Sequence, residues 1–153
     1  ALRLAGRAWA AGGAQERATA AAQKAVRLDP YNGGGRLLLG GLYFEGGRYT
    51  QALPHIKAAL KLRPGDGAAW GYRGALHAVA QEWEQAIGPL RRAVGADPEH
   101  RGLWRFLLAE SLENVGRGRE ALIEARLVVV EAPNNQQAVA LVRRLEATQA
   151  PKE

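Results

Sequence analysis

Histidine, serine and acidic residues are the side chains that could bind a metal or catalyse a reaction in this chain. Its 153 residues include three histidines, a single serine (Ser111) and no cysteine. His55, His77 and His100 are 22 and 23 residues apart, and none has a second ligand at the short spacing that metal sites use. The sequence therefore predicts a surface His55, a partly buried packing His77, a loop His100, and no metal or other cofactor.

The remaining chemical motifs are incomplete. Two glutamate pairs could act as acid and base, but their arginine neighbours favour solvent-exposed helix faces. These pairs are Glu82 with Glu84 and Glu120 with Glu124. The run Gly33–Gly35 lacks the Lys-Ser/Thr ending of a phosphate-binding loop and follows a helix stop instead of a strand. Because no serine or cysteine nucleophile set can be assembled, we predict that the chain is not an enzyme.

Arg73 and His77 form the one unusual polar pair. They lie one helical turn apart at positions that are apolar in the preceding stretch, where Leu39 and Tyr43 stand. In one interpretation the Arg73 side chain extends towards solvent while His77 packs. In the other, the pair binds a partner carboxylate, and a His77→Leu variant would distinguish the two.

The elements that would position these side chains repeat along the chain. Four prolines recur 34, 34 and 35 residues apart, and three mostly small positions keep the same spacing. A fixed period in this range indicates a stack of one supersecondary unit, each copy contacting mainly its neighbours. The positions are Pro30, Pro64, Pro98 and Pro133; Gly6, Gly40, Gly74 and Ala109; Ala18, Ala52, Ala86 and Ala121; and Ala25, Ala59, Ala93 and Val128.

Each period contains two amphipathic helices. Apolar and small residues recur twice at helical spacing, and the small ones let paired backbones approach closely. Glycines at Gly12–Gly13, Gly46–Gly47 and Gly116 predict the end of each first helix, and the prolines predict the end of each second helix.

The fourth repeat is one residue longer than the others. Trp70 and Trp104 differ by 34 residues, whereas Gly74 and Ala109 differ by 35. This spacing predicts an inserted residue between Trp104 and Ala109, with a local bulge in that helix. Residues 135–149 are apolar at helical spacing and predict a final helix that covers the end of the stack.

These residues resemble the tetratricopeptide repeat, whose unit reads W-x2-L-G-x2-Y, then A-x3-F, A and P. The third repeat matches it with Trp70, Gly74, Ala86, Leu90, Ala93 and Pro98, and the second with Leu39, Gly40, Tyr43, Tyr49, Ala52, Ile56, Ala59 and Pro64. The resemblance covers nearly the whole chain. It implies an all-α fold, a right-handed α-solenoid of antiparallel helix pairs. The implied domain is a single array over 1–150, with repeats at about 1–32, 33–66, 67–100 and 101–135, a capping helix at about 136–149 and a tail at 150–153.

The resemblance also implies a concave groove, lined by first helices, that binds a protein or peptide partner. The groove would be basic at its entrance and apolar through its middle, with Phe44 and Tyr72 as aromatic anchors for an extended peptide or a helix. Alternatively, these side chains pack on a neighbouring repeat or on a preceding segment. The residues are Arg3, Leu4, Arg7, Leu37, Leu38, Gly41, Phe44, Gly71, Tyr72, Ala75, Val79, Arg105 and Phe106.

Some family members bind chaperone carboxyl-terminal tails through a clamp of Lys, Asn and Arg on successive first helices. The corresponding positions here carry Arg3 and Arg7, followed by Leu38, Ala68 and Tyr72. Because this clamp is absent, we predict that the chain is not a chaperone-tail adaptor.

The positive charge leaves a second function open. The net charge is +6, and residues 1–32 and 33–66 each carry five basic and two acidic side chains. An anionic ligand, nucleic acid or polysaccharide, could bind the second helices of this basic half, although nucleic acid lacks a stacking platform there. The cations concerned are Lys24, Arg27, Lys57, Lys61 and Arg63.

The leading hypothesis is a non-catalytic scaffold, and the family's common settings suggest a bacterial secretion, envelope-assembly or export complex. Regulation of a larger enzyme and self-association through an uncapped amino-terminal face are alternatives. Without an initiator methionine or a signal peptide, the chain reads as a piece of a longer protein. The composition does not choose between a cytoplasmic and a periplasmic location.

Overall fold

The computed structural model describes residues 8–151, with side chains from residue 12 onward. Every regular element in that range is an α-helix, and none is both long and apolar enough to cross a membrane. The chain divides after Pro64 into two compact units; of the helices in residues 8–151, three lie in the N-terminal unit and five in the C-terminal unit. The helices are α1 (Ala8–Leu28), α2 (Gly33–Glu45), α3 (Tyr49–Leu62), α4 (Gly67–Val79), α5 (Trp83–Ala96), α6 (Arg101–Asn114), α7 (Gly118–Glu131) and α8 (Gln136–Gln149).

Helices that are adjacent in sequence pack together inside each unit. In the N-terminal unit α2 contacts both α1 and α3, and in the C-terminal unit each of the five helices contacts the next. The helix α6 also contacts α4 and α8. The α4, α6 and α8 helices therefore form one layer of the C-terminal unit.

The predicted small residues lie where paired helices cross. A Cβ atom added at Gly40 would lie 2.5 Å from Ile56 Cδ1, and one added at Gly74 would lie 2.6 Å from Leu90 Cγ. A large side chain on the second helix thus packs directly on the backbone of the first. This close approach confirms the predicted role of the glycines.

The third pair, α6 with α7, fills the same crossing differently. Ala109 stands at the glycine position, and Ala125 stands where the other pairs have a large aliphatic residue. Both alanines are fully buried. In the other pairs a glycine on the first helix faces a large side chain on the second. Here each helix contributes one methyl group to the crossing, so α6 and α7 remain close.

The turns inside the pairs contain a left-handed residue at equivalent positions. Gly47 has φ +75°, Gly116 has φ +82°, and Gln81 has φ +59°. The residue after each of them donates its N–H to a carbonyl five residues earlier, at 2.8 to 2.9 Å. The predicted helix ends at Gly46–Gly47 and Gly116 are confirmed, and glycine suits this conformation because it lacks a Cβ atom.

The helix end predicted at Gly12–Gly13 is wrong, because α1 continues through both residues. Glycine permits a break but does not require one, and it costs a helix only about 1 kcal/mol relative to alanine. Nine of the 21 residues of α1 are alanine, the strongest helix former, so the helix continues across the glycine pair.

Among the helices whose starts are described, three begin with the same side-chain cap. The cap residue is Asn or Asp in extended conformation, and its side-chain oxygen accepts the N–H of the residue three positions later. The bonds are Asn32 to Gly35, Asp66 to Ala69 and Asn135 to Ala138. The helix α6 has no such cap, since His100 makes no capping bond.

The predicted insertion in the fourth repeat is displaced towards the helix start. The helix α6 is regular and one residue longer than α2 and α4. Trp104 is 2% exposed and lies 35 residues after Ala69, which is fully buried. The extra residue therefore precedes Trp104, and the bulge predicted between Trp104 and Ala109 is wrong. Lengthening a helix at its start breaks no backbone hydrogen bond, whereas a bulge would.

Asp97 organises the start of α6 in place of the missing cap. Its buried carboxylate accepts a 2.8 Å hydrogen bond from the Trp104 indole N–H and lies 3.0 Å from His100 Nδ1. Burial by itself raises the pKa of Asp97. The hydrogen bonds from Trp104 and His100 and the His100 charge outweigh it and hold the pKa below the ordinary value.

The helix α8 ends the C-terminal unit with a charged face. Leu141 and Leu145 are buried, and Asn135 caps the helix, as expected of the predicted final helix. Arg143 stands at the position that Gly74 and Ala109 hold in α4 and α6, and it is exposed. A long cation there prevents the close helix approach that the small residues permit, which is typical of a capping helix.

Candidate partner-binding face

One face of the C-terminal unit combines exposed apolar side chains with carboxylates. On α6, Leu103, Phe106, Glu110 and Glu113 are spaced three, four and three residues apart and share one side of the helix. Glu113 bonds Arg144 of α8, so this side borders α8. The adjoining helix α4 ends at the exposed Val79. We call Val79, Leu103, Phe106, Glu110, Glu113 and Arg144 the α4–α6–α8 face.

The apolar part of the α4–α6–α8 face is accessible. Leu103 is 53% exposed, and Phe106, one turn further along α6, is half-buried. Val79 is 45% exposed and lies eight residues beyond Gly71, the α4 residue that meets Trp104, which is about 12 Å further along the layer. Apolar side chains grouped on one surface are more informative than single exposed ones, because they mark sites of interaction.

The two carboxylates of this face differ in their environment. Both oxygens of Glu113 accept hydrogen bonds from Arg144, at 2.8 and 3.0 Å. The half-buried carboxylate of Glu110 accepts no hydrogen bond from any described residue. Burial raises the pKa of Glu110; the Arg144 charge opposes this shift, and the Glu113 charge adds to it.

Residues 37–101 match the family model of the tetratricopeptide repeat, from α2 to the first residue of α6. This protein therefore contains tetratricopeptide repeats (TPR) over residues 37–101. The TPR fold supports a scaffold for protein–protein interaction. A comparison with curated proteins found no significant match.

Solved structures resemble this TPR protein over most of its length. YrrB, "a TPR protein with an unusual peptide-binding site", is 24% identical over 92% of this chain and 72% of its own, with a TM-score of 0.74. MamA is 20% identical over 90% and 80%, with a TM-score of 0.78. The second TPR domain of human RPAP3, in complex with the HSP70 peptide SGPTIEEVD, is 19% identical over 70% and 88%, with a TM-score of 0.62. The likeness establishes the predicted all-α fold of helix pairs.

In the N-terminal unit of the TPR protein, the predicted groove residues of α2 differ in exposure. Leu38 is 57% exposed, Leu37 and Phe44 are half-buried, and Gly41 is buried. The Phe44 ring lies 5.2 Å from the Tyr49 ring of α3. The predicted residues Arg3, Leu4 and Arg7 lie outside the described part of the chain.

In the C-terminal unit, the predicted groove residues of α4 also differ in exposure. Val79 is exposed, whereas Gly71 and Ala75 are buried and offer little surface to a partner. Tyr72 is half-buried, and its ring meets the edge of Trp104 at 5.4 Å. The assignment of these residues to a partner site stays a prediction.

Arg105 does not lie on the face where the sequence placed it. Its side chain is 13% exposed and forms ion pairs with Glu124 and Glu131 of α7, at 3.2 and 2.9 Å. The register of α6 explains the difference, because Arg105 lies 35 residues after Trp70. The Trp70 ring likewise packs beneath a cation of its own second helix, Arg92, at 4.4 Å.

The same register error hid part of the candidate face. With the insertion placed before Trp104, the predicted residue Phe106 falls at the position of Gly71. Glu110, which was not predicted, falls at that of Ala75, and Leu103 was also missed. The missing side-chain cap before α6 is a signal in the sequence that could have located the insertion.

The histidines have partners within the TPR fold. The predicted surface position of His55 is wrong: the ring is half-buried, stacks on Tyr43 at 5.6 Å and lies 3.1 Å from Arg36 Nη1. The flat ring fits against Tyr43, and burial, followed by the Arg36 charge, lowers the pKa of His55.

His77 is partly buried and lies 2.7 Å from Glu82, as expected of a packing residue. His100 lies in the loop before α6, as predicted.

Other predicted chemical groups form ion pairs. Glu120 binds Arg91 and Arg117, and these hydrogen bonds, that from Arg117 first, lower its pKa. Within residues 8–151 no three His, Cys, Asp or Glu side chains converge as a metal site would require.

The charge is distributed unequally between the two units. Residues 8–64 contain eight basic and three acidic side chains, whereas residues 65–151 contain ten and eleven. Lys24, Arg27, Lys57 and Lys61 are exposed on α1 and α3. Arg63 instead lies over the start of α2, where its Cδ would be 2.6 Å from a Cβ atom at Gly33.

Proposed function

We propose that this TPR protein is a non-catalytic scaffold that binds a segment of a partner protein on the α4–α6–α8 face. The observation that carries the proposal is the exposure of Leu103 beside the half-buried Phe106, one turn further along α6. Together they offer an apolar surface of one aliphatic side chain and one aromatic ring, bordered by the charges of Glu110 and Glu113. An extended peptide or the apolar side of a helix fits such a surface.

The charges of the face argue against an acidic chaperone tail. The RPAP3 domain is seen with a peptide that ends in Glu-Glu-Val-Asp. Here Glu110 and Glu113 face the bound segment with one arginine, Arg144, that is engaged by Glu113. Like charges brought together at an interface cost binding energy, so the proposed partner segment is not acidic.

Selection of peptides from a random library tests the proposal. Immobilised chain is exposed to a phage library of twelve-residue peptides, beside a Val79→Glu/Leu103→Glu double variant. The matched control is Ile123→Glu/Leu127→Glu, which changes two exposed apolar side chains on α7. All three proteins are first checked for equal helicity and equal unfolding midpoints.

We expect the parent and the α7 control to enrich the same peptides, and the face variant to lose them. Equal enrichment by the face variant would overturn the proposal. Loss with the α7 control alone would transfer the site to that helix.

The unequal charge supports a second candidate, binding of an anionic polymer to Lys24, Arg27, Lys57 and Lys61. These four cations make no ion pair within the described residues, in contrast to many arginines of the C-terminal unit. Heparin binding that falls steeply as salt rises and is abolished by Lys57→Gln/Lys61→Gln would favour this candidate. Retained binding in that variant would reject it.

The biological setting is part of the proposal and not of the fold. A bacterial secretion, envelope-assembly or export complex is the setting proposed for the scaffold, and a second copy of the chain is one possible partner. Sedimentation of the purified chain over a range of concentrations would detect such self-association.

A further inference from the structure

The carboxylate of Glu110 holds the central position on the α4–α6–α8 face. It lies one turn from Phe106 and two turns from Leu103 along α6. On the other side it is followed after three residues by Glu113. A ligand that covers the apolar side chains would therefore also cover Glu110.

Arg144 does not satisfy Glu110. Its Nε donates to one oxygen of Glu113 and its Nη2 to the other, an arrangement that engages the guanidinium edge in two bonds. No other described cation forms an ion pair with Glu110. Glu110, Glu113 and Arg144 together thus carry a net charge of −1, and the uncompensated charge is that of the half-buried Glu110.

We infer that the α4–α6–α8 face selects a protein segment that places a lysine or arginine against Glu110 and an aliphatic or aromatic side chain against Phe106 and Leu103. The inference rests on the proposed function and names its ligand chemistry. Charge complementarity supplies the cation, and the exposed apolar side chains supply its neighbour.

The helix geometry also fixes the spacing in the bound segment. Phe106 lies four residues from Glu110 and Leu103 seven, which along a helix correspond to about 6 and 10.5 Å. An extended peptide advances about 3.3 Å per residue. The apolar and basic residues of the segment should therefore stand two or three positions apart.

The ionised carboxylate of Glu110 also lowers the stability of the native state, which fits a functional role for this residue. A carboxyl group whose pKa is raised by burial is ionised at a cost in the native state. A Glu110→Gln variant removes that charge and keeps the shape, so its unfolding midpoint at pH 7 should be equal to or higher than the parent's.

The test uses the twelve-residue phage library on the full chain and on three variants. Glu110→Gln removes the proposed charge, Glu99→Gln removes an exposed carboxylate in the loop before α6, and Val79→Glu/Leu103→Glu removes the apolar surface. We expect the parent and Glu99→Gln to enrich peptides with a basic residue two or three positions from an apolar one. With Glu110→Gln this basic enrichment should disappear.

A titration then measures the size of the effect. For one enriched peptide, Glu110→Gln in the protein or replacement of the basic residue by methionine in the peptide should each raise the Kd about tenfold. The two changes together should weaken binding little beyond either one alone.

Each outcome decides between the two proposals. If peptides are lost with Val79→Glu/Leu103→Glu but basic residues are enriched equally by the parent and Glu110→Gln, the proposed function stands and this inference fails. If the parent enriches no peptide, or the double variant keeps them all, both fail.

Discussion

The indole of Trp104 packs on the bare backbone of Gly71, so closely that a Cβ atom at Gly71 would lie 2.2 Å from Trp104 Cε2. This contact joins α4 to α6 in the layer that carries the candidate face. It also holds the start of α6, because the same indole donates its N–H to Asp97. Leu103 and Phe106 flank Trp104, so the contact positions the apolar part of the face.

A Gly71→Ala variant tests this contact. The new methyl group must displace the Trp104 ring, and we expect a loss of about 1–3 kcal/mol in the free energy of unfolding. The matched control is Gly95→Ala on the exposed side of α5, where an added Cβ atom meets nothing within 4 Å. That change should stabilise by about 0.5–1 kcal/mol. Urea unfolding followed by circular dichroism measures both, and equal effects would contradict the account.

Gln81 is strained by its position in the turn between α4 and α5. Its φ of +59° is the conformation that Gly47 and Gly116 adopt in the equivalent turns. A Gln81→Gly variant should therefore stabilise the protein by about 1 kcal/mol, and Gly116→Gln should destabilise it by about the same amount. Unfolding midpoints measure both changes. A loss of stability in Gln81→Gly would show that its side chain contributes more than the backbone strain costs.

Asp97 should make stability depend on pH in the acidic range. Its pKa is lowered in the native state, so its contribution is present above the unfolded-state pKa of about 4 and is lost as pH falls through the lower native value. Asp97→Asn should be less stable than the parent at pH 7, and the difference should shrink towards pH 3. Unfolding free energies at several pH values measure this, with the exposed Glu99→Gln as control. A difference that stays constant with pH would exclude the ionised carboxylate as its source.

His55 should make the stability of the protein depend on pH in a higher range than Asp97 does. Burial and the Arg36 charge lower its pKa, so protonation opposes folding, and stability should fall as pH drops below about 6.5. A His55→Gln variant should lose less stability than the parent between pH 7 and pH 5. The same slope in both proteins would assign that pH dependence to other groups.

The fold could be predicted from the sequence because its main constraint is local and repeated. The same repeat position is occupied by Gly40 in α2 and by Gly74 in α4, and each marks a close helix crossing. The helix pairs follow from that spacing. The continuity of α1 could not be predicted in this way, because glycine permits a turn as well as a helix. The burial of His55 was missed because it depends on the shape of Tyr43 across the helix pair.

The candidate face was harder to predict than the fold. The recurrence of tryptophan suggested that Trp104 replaces Trp70, whereas burial places it with Ala69. This shift of one residue put Arg105 on the face beside Phe106 and left out Leu103 and Glu110. Glu110 has no ion pair because Arg144 bonds Glu113 instead. Which of the two glutamates Arg144 contacts depends on tertiary geometry, which residue spacing does not reveal.

The central claim is that a partner segment binds the α4–α6–α8 face, and a nuclear magnetic resonance titration tests it most directly. An enriched twelve-residue peptide is added to ¹⁵N-labelled protein, and the shifts of backbone amides are followed. The account predicts the largest changes around Leu103, Phe106 and Glu110. Changes centred instead on Ile123 and Leu127 of α7, or confined to the N-terminal unit, would contradict it.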